Sequence, residues 1–470
     1  MNKENINTDY LSIWKLVWPQ ALTLIATLAI SLIDTWVASK INPQVLASFG
    51  ILNQSLMFLS IIGQGVVGAT LSLVGQAIGA GKKLRAKYIS VLMTILACIM
   101  GIIVALGAYV VRVPFLLFFK TPIEMLSDVT LWLVIYLATI PLQYIFLTTN
   151  AVLRSIKRVK TILVVAILTA ILNTVLSIGL TFGYCGLPLM GATGIAVATL
   201  ITLVIINIVN AVILYKENFI RLLYLPTLRW CKAIQKKIYS VAIPIIGTQI
   251  LWQTGYILVF AVMAHLPEVA HVIPESLLAL GEDIPPANRV AIAGFTVGMR
   301  IESMLFIPGM AMQFTASILI SHLVGAKEYT RARLVGTRLI LIGVIAISSC
   351  ALPVWIYRDA IVALFSPDLF VQHDVKLYLF YNLLSIPFIM VTITGSGVFT
   401  GSGATKYTFL AYACSMWFFR LPLAYILGII YQFDSEGVYI AMLISAIIQA
   451  MIILICYTKT NWEGVKKAVE

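Results

Sequence analysis

The chain has 470 residues, of which 61% are apolar and only 11% are charged. Water-soluble proteins carry about 45–50% apolar and 25% charged residues, so this composition excludes a soluble globular protein. The net charge of +13 comes from Lys and Arg gathered between apolar runs, which is a membrane-topology signal and not one of nucleic-acid binding.

Twelve apolar runs are each long enough to cross a membrane as an α-helix, and they lack the alternation typical of barrel strands. The sequence therefore predicts an all-α integral membrane protein with twelve transmembrane helices in two six-helix bundles. The predicted spans are 12–38, 44–78, 86–110, 126–152, 160–182, 191–215, 238–264, 287–324, 332–358, 372–399, 405–432 and 436–459.

The two halves of the chain repeat one another. Pro19 and Pro244 each begin an apolar run, and the turn at Gly79 corresponds to the turn at Gly325. Duplicated helical halves are typical of secondary transporters, which place a site between two moving lobes. We expect a first six-helix lobe at 1–225 and a second at 226–470. The second lobe contains an external insertion at about 265–288.

Basic residues are concentrated in three connecting segments, around 82–87, 154–160 and 216–237. Because basic segments resist translocation, these connections and both termini are expected in the cytoplasm. The six cysteines and four histidines show no spacing typical of a disulfide framework or a metal site. No nucleophile–base arrangement or phosphate-binding loop is found either, so we do not expect an enzyme.

Asp34 is the most informative polar residue, because it lies within the first apolar run with no Lys or Arg three or four positions away. An acid in hydrocarbon costs about 2.5–3.5 kcal/mol and usually marks a functional site. The functional interpretation is a carboxyl group that couples transport to a proton or cation. The alternatives are a structural hydrogen bond to a neighbouring helix and a solvated position near the outer interface. Pro19, in the same span, is predicted to act as a hinge.

The fifth span places Asn173 and Ser177 on one helical face, and Thr199 follows a run of small residues in the sixth span. Small residues allow helices to approach closely, which could bring these groups beside Asp34. Ordinary hydrogen bonding between helices is an equally good explanation.

The second half carries a possible polar network of Arg300, Glu302 and Arg420, which the sequence cannot pair. Arg300 and Glu302 are two positions apart and do not face each other on a helix. Further polar and aromatic side chains on the spans are possible substrate contacts, with helix packing as the alternative role: Trp36, Gln64, Trp252, Gln253 and Tyr256.

Several stretches together resemble the multidrug and toxic compound extrusion (MATE) transporters over nearly the whole chain. They are the first span with Pro19 and Asp34, VGQAIGAGKKLRA, GATGIAVAT, RIESMLFIPG, HLVGAKEYTRA, GSGVFTGSGAT and FRLPLAY. The acid in the first span is similar to that of the DinF-like branch, in which it takes part in cation coupling and the proline below it bends. Asn173 matches that polar site, whereas Ser177 stands where the pattern has an acid, which favours a proton over sodium.

The resemblance implies a secondary active multidrug efflux antiporter that exports amphipathic organic cations in exchange for protons by alternating access. The alternatives are a sodium-coupled drug antiporter, and a flippase for a lipid-linked saccharide or another lipid-like amphiphile. The implied partners are small amphipathic molecules and membrane lipid, with no nucleic acid and no cofactor or metal beyond the coupling ion. The protein is expected to be a monomer in the bacterial inner membrane. Which lobe binds substrate stays open.

Overall fold

A computed structural model describes residues 9–118, 126–221, 224–267 and 285–460. Within these ranges, twelve helices are long and apolar enough to cross a membrane, which confirms the predicted fold class. The helices are α1 Tyr10–Ile41, α2 Pro43–Gly79, α3 Lys83–Val110, α4 Leu126–Ser155, α5 Val159–Phe182, α6 Ala192–Lys216, α7 Leu228–Ala264, α8 Ala287–Gly325, α9 Tyr329–Ile356, α10 Leu369–Ser402, α11 Lys406–Ile430 and α12 Asp434–Lys459.

The duplication is visible in the order of the helices. In the first half, α3 is followed by a short helix at Arg112–Phe118, and in the second half α9 is followed by one at Arg358–Phe365. The turns repeat as well. Gly81 and Lys327 both adopt left-handed backbone angles, with φ of 72° and 64°. Because only glycine takes this conformation without strain, the lysine copy shows that the turn geometry itself is retained in both halves.

Contacts divide the chain into two compact units. The first contains Met1–Ile246 and Ser321–Glu328, and the second contains Gly247–Ile320 and Tyr329–Glu470. The division falls inside α7 and not in the linker near 226, because the first part of α7 is buried in the first unit. Its buried side chains there are Ile234, Ile238, Val241 and Ala242.

The external insertion predicted at about 265–288 falls largely outside the described residues, which omit 268–284.

Inside the first unit, α2 and the end of α8 approach backbone to backbone through matched glycines. A Cβ atom added at Gly79 would lie 2.0 Å from the carbonyl oxygen of His322, and one at Gly325 would lie 2.1 Å from that of Gln76. The two turns are equivalent positions of the repeat. Gly79 of the first copy therefore packs against α8, and Gly325 of the second copy packs against α2. Close approach through small residues is a common way for membrane helices to associate.

The packing of α5 against α6 depends on Gly194, and we expect Gly194→Ala to lower thermal stability in detergent. Its Cβ atom would lie 2.7 Å from the backbone carbonyl carbon of Leu180, so one of the two helices must shift, at about 1–3 kcal/mol. Gly50→Ala is the matched control, because nothing lies within 4 Å of its Cβ position. Equal melting temperatures for the two variants would contradict this account of the packing.

Candidate functional site

Asp34 lies on the packed face of α1. Its side chain is 7% exposed, whereas Leu32 and Trp36 on either side are 58% and 51% exposed. Val37 and Ala38, three and four positions on, are also buried, which defines the face that turns toward the other helices. Trp36, a predicted substrate contact, therefore points away from the carboxyl group.

Asp34 is held by a residue of α5. The Ser177 hydroxyl donates a hydrogen bond to Asp34 Oδ1 over 3.0 Å, and Ser177 itself is fully buried. Among the described residues, no ion pair to Asp34 is found. The carboxyl group therefore has a neutral hydroxyl partner and no cationic one, so that gaining or losing a proton changes the net charge of the site.

Asn173 and Thr199 extend this site. The Asn173 amide donates to Thr199 Oγ1 over 3.5 Å, while the Thr199 hydroxyl donates to the carbonyl of Ile195. Because the Thr199 hydroxyl already donates its proton to the Ile195 carbonyl, the Thr199 oxygen can only accept a hydrogen bond from Asn173. The amide nitrogen of Asn173 must therefore face Thr199. This orientation leaves Asn173 Oδ1, which is buried, without a hydrogen-bond partner in the structure.

Tyr136 of α4 completes the site, and the sequence analysis missed it. Its hydroxyl lies near Thr199 and within electrostatic range of Asp34. The side chain is 6% exposed and lines a small cavity together with Val45, Phe49, Leu52, Trp132, Ala192 and Ile195. One tyrosine in an apolar span carries no pattern that would have revealed it.

The four polar groups around Asp34 define what the site can bind. The Asp34 carboxyl group, with the three hydroxyls and the amide oxygen around it, is suited to a proton or to a hard cation. Within the described part of the chain, no cluster of three or more His, Cys, Asp or Glu is placed to hold a metal ion. The site therefore offers one carboxylate and neutral oxygens.

Pro19 lies in the first third of α1 and is buried. Its carbonyl oxygen accepts a hydrogen bond from the Thr23 hydroxyl over 2.7 Å. The helix continues through the proline from Tyr10 to Ile41. The predicted hinge thus has the residue and the position that it needs, and its movement stays a prediction.

In the second unit, Glu302 and Arg420 lie in one polar network, whereas Arg300 is exposed. The Tyr378 hydroxyl donates to Glu302 Oε2, and Glu302 is 3% exposed. Arg420 and Glu302 are both within electrostatic range of the Tyr256 hydroxyl. The structure therefore brings together two of the three predicted residues and adds the two tyrosines.

Asp374 is a buried acid that the sequence analysis missed. It lies in α10, is 4% exposed, and accepts hydrogen bonds from the hydroxyls of Ser435 and, over 2.6 Å, Tyr439. It is the third residue of the predicted span that begins at 372. The apolar neighbours Val371 and Val375 were the signal in the sequence that this acid lies on a packed part of the helix.

Among the other predicted substrate contacts, Trp252, Gln253 and Tyr256 are half-buried on α7, and Gln64 is half-buried on α2. The ring centroids of Trp252 and Tyr256 are 4.7 Å apart, and Tyr412 of α11 packs edge-on against Trp252 at 5.7 Å. The second unit thus holds an aromatic cluster beside its polar network.

Comparison with known proteins gives a consistent result. A sequence model of the MatE family matches residues 19–178 and again 288–426, one stretch in each half. The chain is 24% identical over 469 residues to a probable multidrug resistance protein NorM of Thermotoga maritima, covering 99% of this chain and 96% of that protein. A probable NorM of Bacillus thuringiensis is 23% identical over 454 residues, covering 94% and 93%.

Solved structures share the fold. A crystal structure of a mutant of the Vibrio cholerae MATE transporter VcmN superposes with a TM-score of 0.84 at 19% identity, over 96% of this chain and 97% of that one. Agreement of this extent between distant sequences shows that the chain has the fold of that protein.

Removing a donor to Asp374 is expected to weaken the second unit. We expect Tyr439→Phe to lower the free energy of unfolding by about 1–3 kcal/mol, because a buried carboxyl group loses one of its two hydroxyl partners. Tyr425→Phe is the control, since Tyr425 is 51% exposed and surface changes usually stay within about 0.5 kcal/mol. Denaturant titration in mixed micelles measures both. An equal loss of unfolding free energy in the two variants would mean that the hydrogen bond from Tyr439 to Asp374 does not stabilise the protein.

Proposed function

The chain belongs to the MatE family, and from this premise we propose that it is a secondary active multidrug efflux antiporter, which exports amphipathic organic cations in exchange for protons. The relatives called multidrug resistance proteins support the efflux part of the proposal. They are similar along more than nine-tenths of both chains, so the comparison concerns the whole transporter and not one part of it.

The observation that carries the coupling part is the environment of Asp34. Its hydrogen-bond partner is the neutral hydroxyl of Ser177, and the acid is buried in the first unit. A buried charge without a counter-ion is costly, so the protonated and ionised forms favour different surroundings. Protons bound on one side and released on the other would then bias the conformations between which the transporter alternates.

A proton is favoured over sodium by the composition of the site. Hard cations in proteins prefer several oxygen ligands, among them carboxylates. The Asp34 site offers a single carboxylate, because position 177 is a serine. The unpartnered acceptor Asn173 Oδ1 suits either a proton donor or a weakly held cation and does not distinguish the two ions. The choice of a proton therefore rests on the single carboxylate.

The proposed location is the bacterial inner membrane, with both termini in the cytoplasm and the protein a monomer. The relatives come from bacteria, and the connections between helices on one side are rich in Lys and Arg. This orientation places the basic turn after α2 and the linker before α7 on the cytoplasmic face.

Replacing Asp34 tests the coupling directly. In proteoliposomes with an imposed pH gradient, we expect Asp34→Asn to lose gradient-driven uptake of a fluorescent cation such as ethidium while it still binds ethidium at equilibrium. The amide keeps the shape of the side chain but cannot exchange a proton at physiological pH. Asp128→Asn, in the exposed first turn of α4, is the matched control. Gradient-driven uptake by Asp34→Asn at the wild-type rate would remove the coupling role.

Position 177 tests the choice of ion. We expect Ser177→Asp to make ethidium uptake respond to an imposed sodium gradient, because a second carboxylate beside Asp34 provides the anionic ligand that a hard cation prefers. Ser177→Asn adds similar volume without the charge and should leave sodium without effect. The proposal of proton coupling fails if the wild-type protein is itself driven by sodium and is indifferent to the pH gradient.

A further inference from the structure

Arg420 is a buried cation whose hydrogen bonds are not all used. It lies in α11 at the end of a π-helical segment, Cys414–Arg420, and is 5% exposed. Its Nη1 atom is buried and has no hydrogen-bond partner in the structure. Arginine inside a membrane protein is expensive and is normally paired, and π-helical turns occur frequently at functional sites.

The guanidinium group is held in place from one side. Arg420 Nε donates to Ser445 Oγ over 2.7 Å, and the Ser445 hydroxyl donates in turn to the carbonyl of Met442 over 2.8 Å. Because the serine proton is used by Met442, the serine oxygen is fixed as an acceptor for Nε. The head of the side chain is therefore oriented before any ligand arrives.

Among the described residues, Arg420 has no carboxylate within ion-pair distance. Glu302 acts on it only at longer range, and the Glu302 carboxylate is already bonded to Tyr378. The positive charge is therefore compensated incompletely, which leaves an N–H donor and a favourable potential for an anion.

An aromatic surface adjoins this cation. The Arg420 Cζ atom lies 5.8 Å from the ring centroid of Tyr256, which packs against Trp252. Both rings are half-buried, so part of each aromatic surface stays open to a ligand. A flat ligand that stacks on these rings would bring a charged substituent close to the guanidinium group.

We propose that Arg420 is the anion-recognising residue of a substrate site in the second unit, which takes aromatic amphiphiles that carry a carboxylate. This inference rests on the proposed transport function and specifies its substrate. The guanidinium fork matches a carboxylate in geometry and charge, the rings of Trp252 and Tyr256 hold the aromatic body, and Ser445 positions the fork. Arg420 thereby discriminates between substrates with and without the acid.

Two dyes that differ by one charge test the proposal. Rhodamine B carries a free carboxylate beside its cationic ring system, and its methyl ester is the same cation without the acid. Fluorescence polarisation in nanodiscs of neutral lipid, with no ion gradient, measures the binding of each dye. We expect the wild-type protein to bind rhodamine B more tightly than the ester, and Arg420→Met to weaken rhodamine B about tenfold or more, with the ester changed less than twofold.

Two further variants make the result specific. Arg420→Lys keeps the positive charge but loses the guanidinium fork, so it should show an intermediate preference for rhodamine B. If Arg420→Met does not fold, this variant tests the role of Arg420. Arg338→Met removes an exposed arginine of the same unit and should bind both dyes as the wild-type protein does. Equal weakening of both dyes by Arg420→Met, or no weakening of either, overturns the proposal.

A lipid headgroup could supply the same anionic chemistry, and one arm of the experiment separates the two sources. Phosphatidylglycerol is titrated into the nanodiscs. If this lipid displaces both dyes from the wild-type protein but not from Arg420→Met, the anion is lipid phosphate and the claim of a substrate carboxylate fails. The measurement is made at equilibrium and does not depend on Asp34, so its failure is distinct from a failure of proton coupling.

Discussion

The interior of a membrane offers no water, and every buried polar group must find its partner within the protein. Three acids inside the spanning helices meet this constraint in the same way. Asp34, Glu302 and Asp374 each accept hydrogen bonds from neutral hydroxyl groups, those of Ser177, of Tyr378, and of Ser435 with Tyr439. A hydroxyl partner tolerates either protonation state of an acid, whereas an ion-pair partner would be left as an unpaired buried charge. This choice of partners keeps the acids available for chemistry.

The two halves share a backbone and differ in where the acids lie. The residue that follows Pro244 at the distance of Asp34 from Pro19 is Val259, which is fully buried. At the offset that relates Gly79 to Gly325, the counterpart of Glu302 is Leu56. For these two acids, each half carries an aliphatic side chain where the other half has the acid. Asp374 differs, because its counterpart at the same offset is an acid, Asp128. A symmetric scaffold therefore carries an asymmetric set of charges, and the aromatic cluster with Arg420 belongs to one half alone.

The spans could be predicted from the sequence because hydrocarbon thickness fixes the length of an apolar helix. The grouping of Asp34 with Ser177 and Asn173 was within reach, since residues four positions apart share a helical face. Asp374 was missed because it lies where a span begins, and an acid there resembles an ordinary helix entry. The exposure of Arg300 could not be derived either, because the neighbouring helices decide which of the two faces of α8 is buried.

The reciprocal crossing of α2 and α8 has a mechanical consequence. At Gly79 and Gly325 the backbones meet directly, so no side chain can change its rotamer to absorb a displacement. A displacement of one helix end therefore pushes directly on the backbone of the other. Gly79 and Gly325 can accept a larger residue only when the facing backbone gives way.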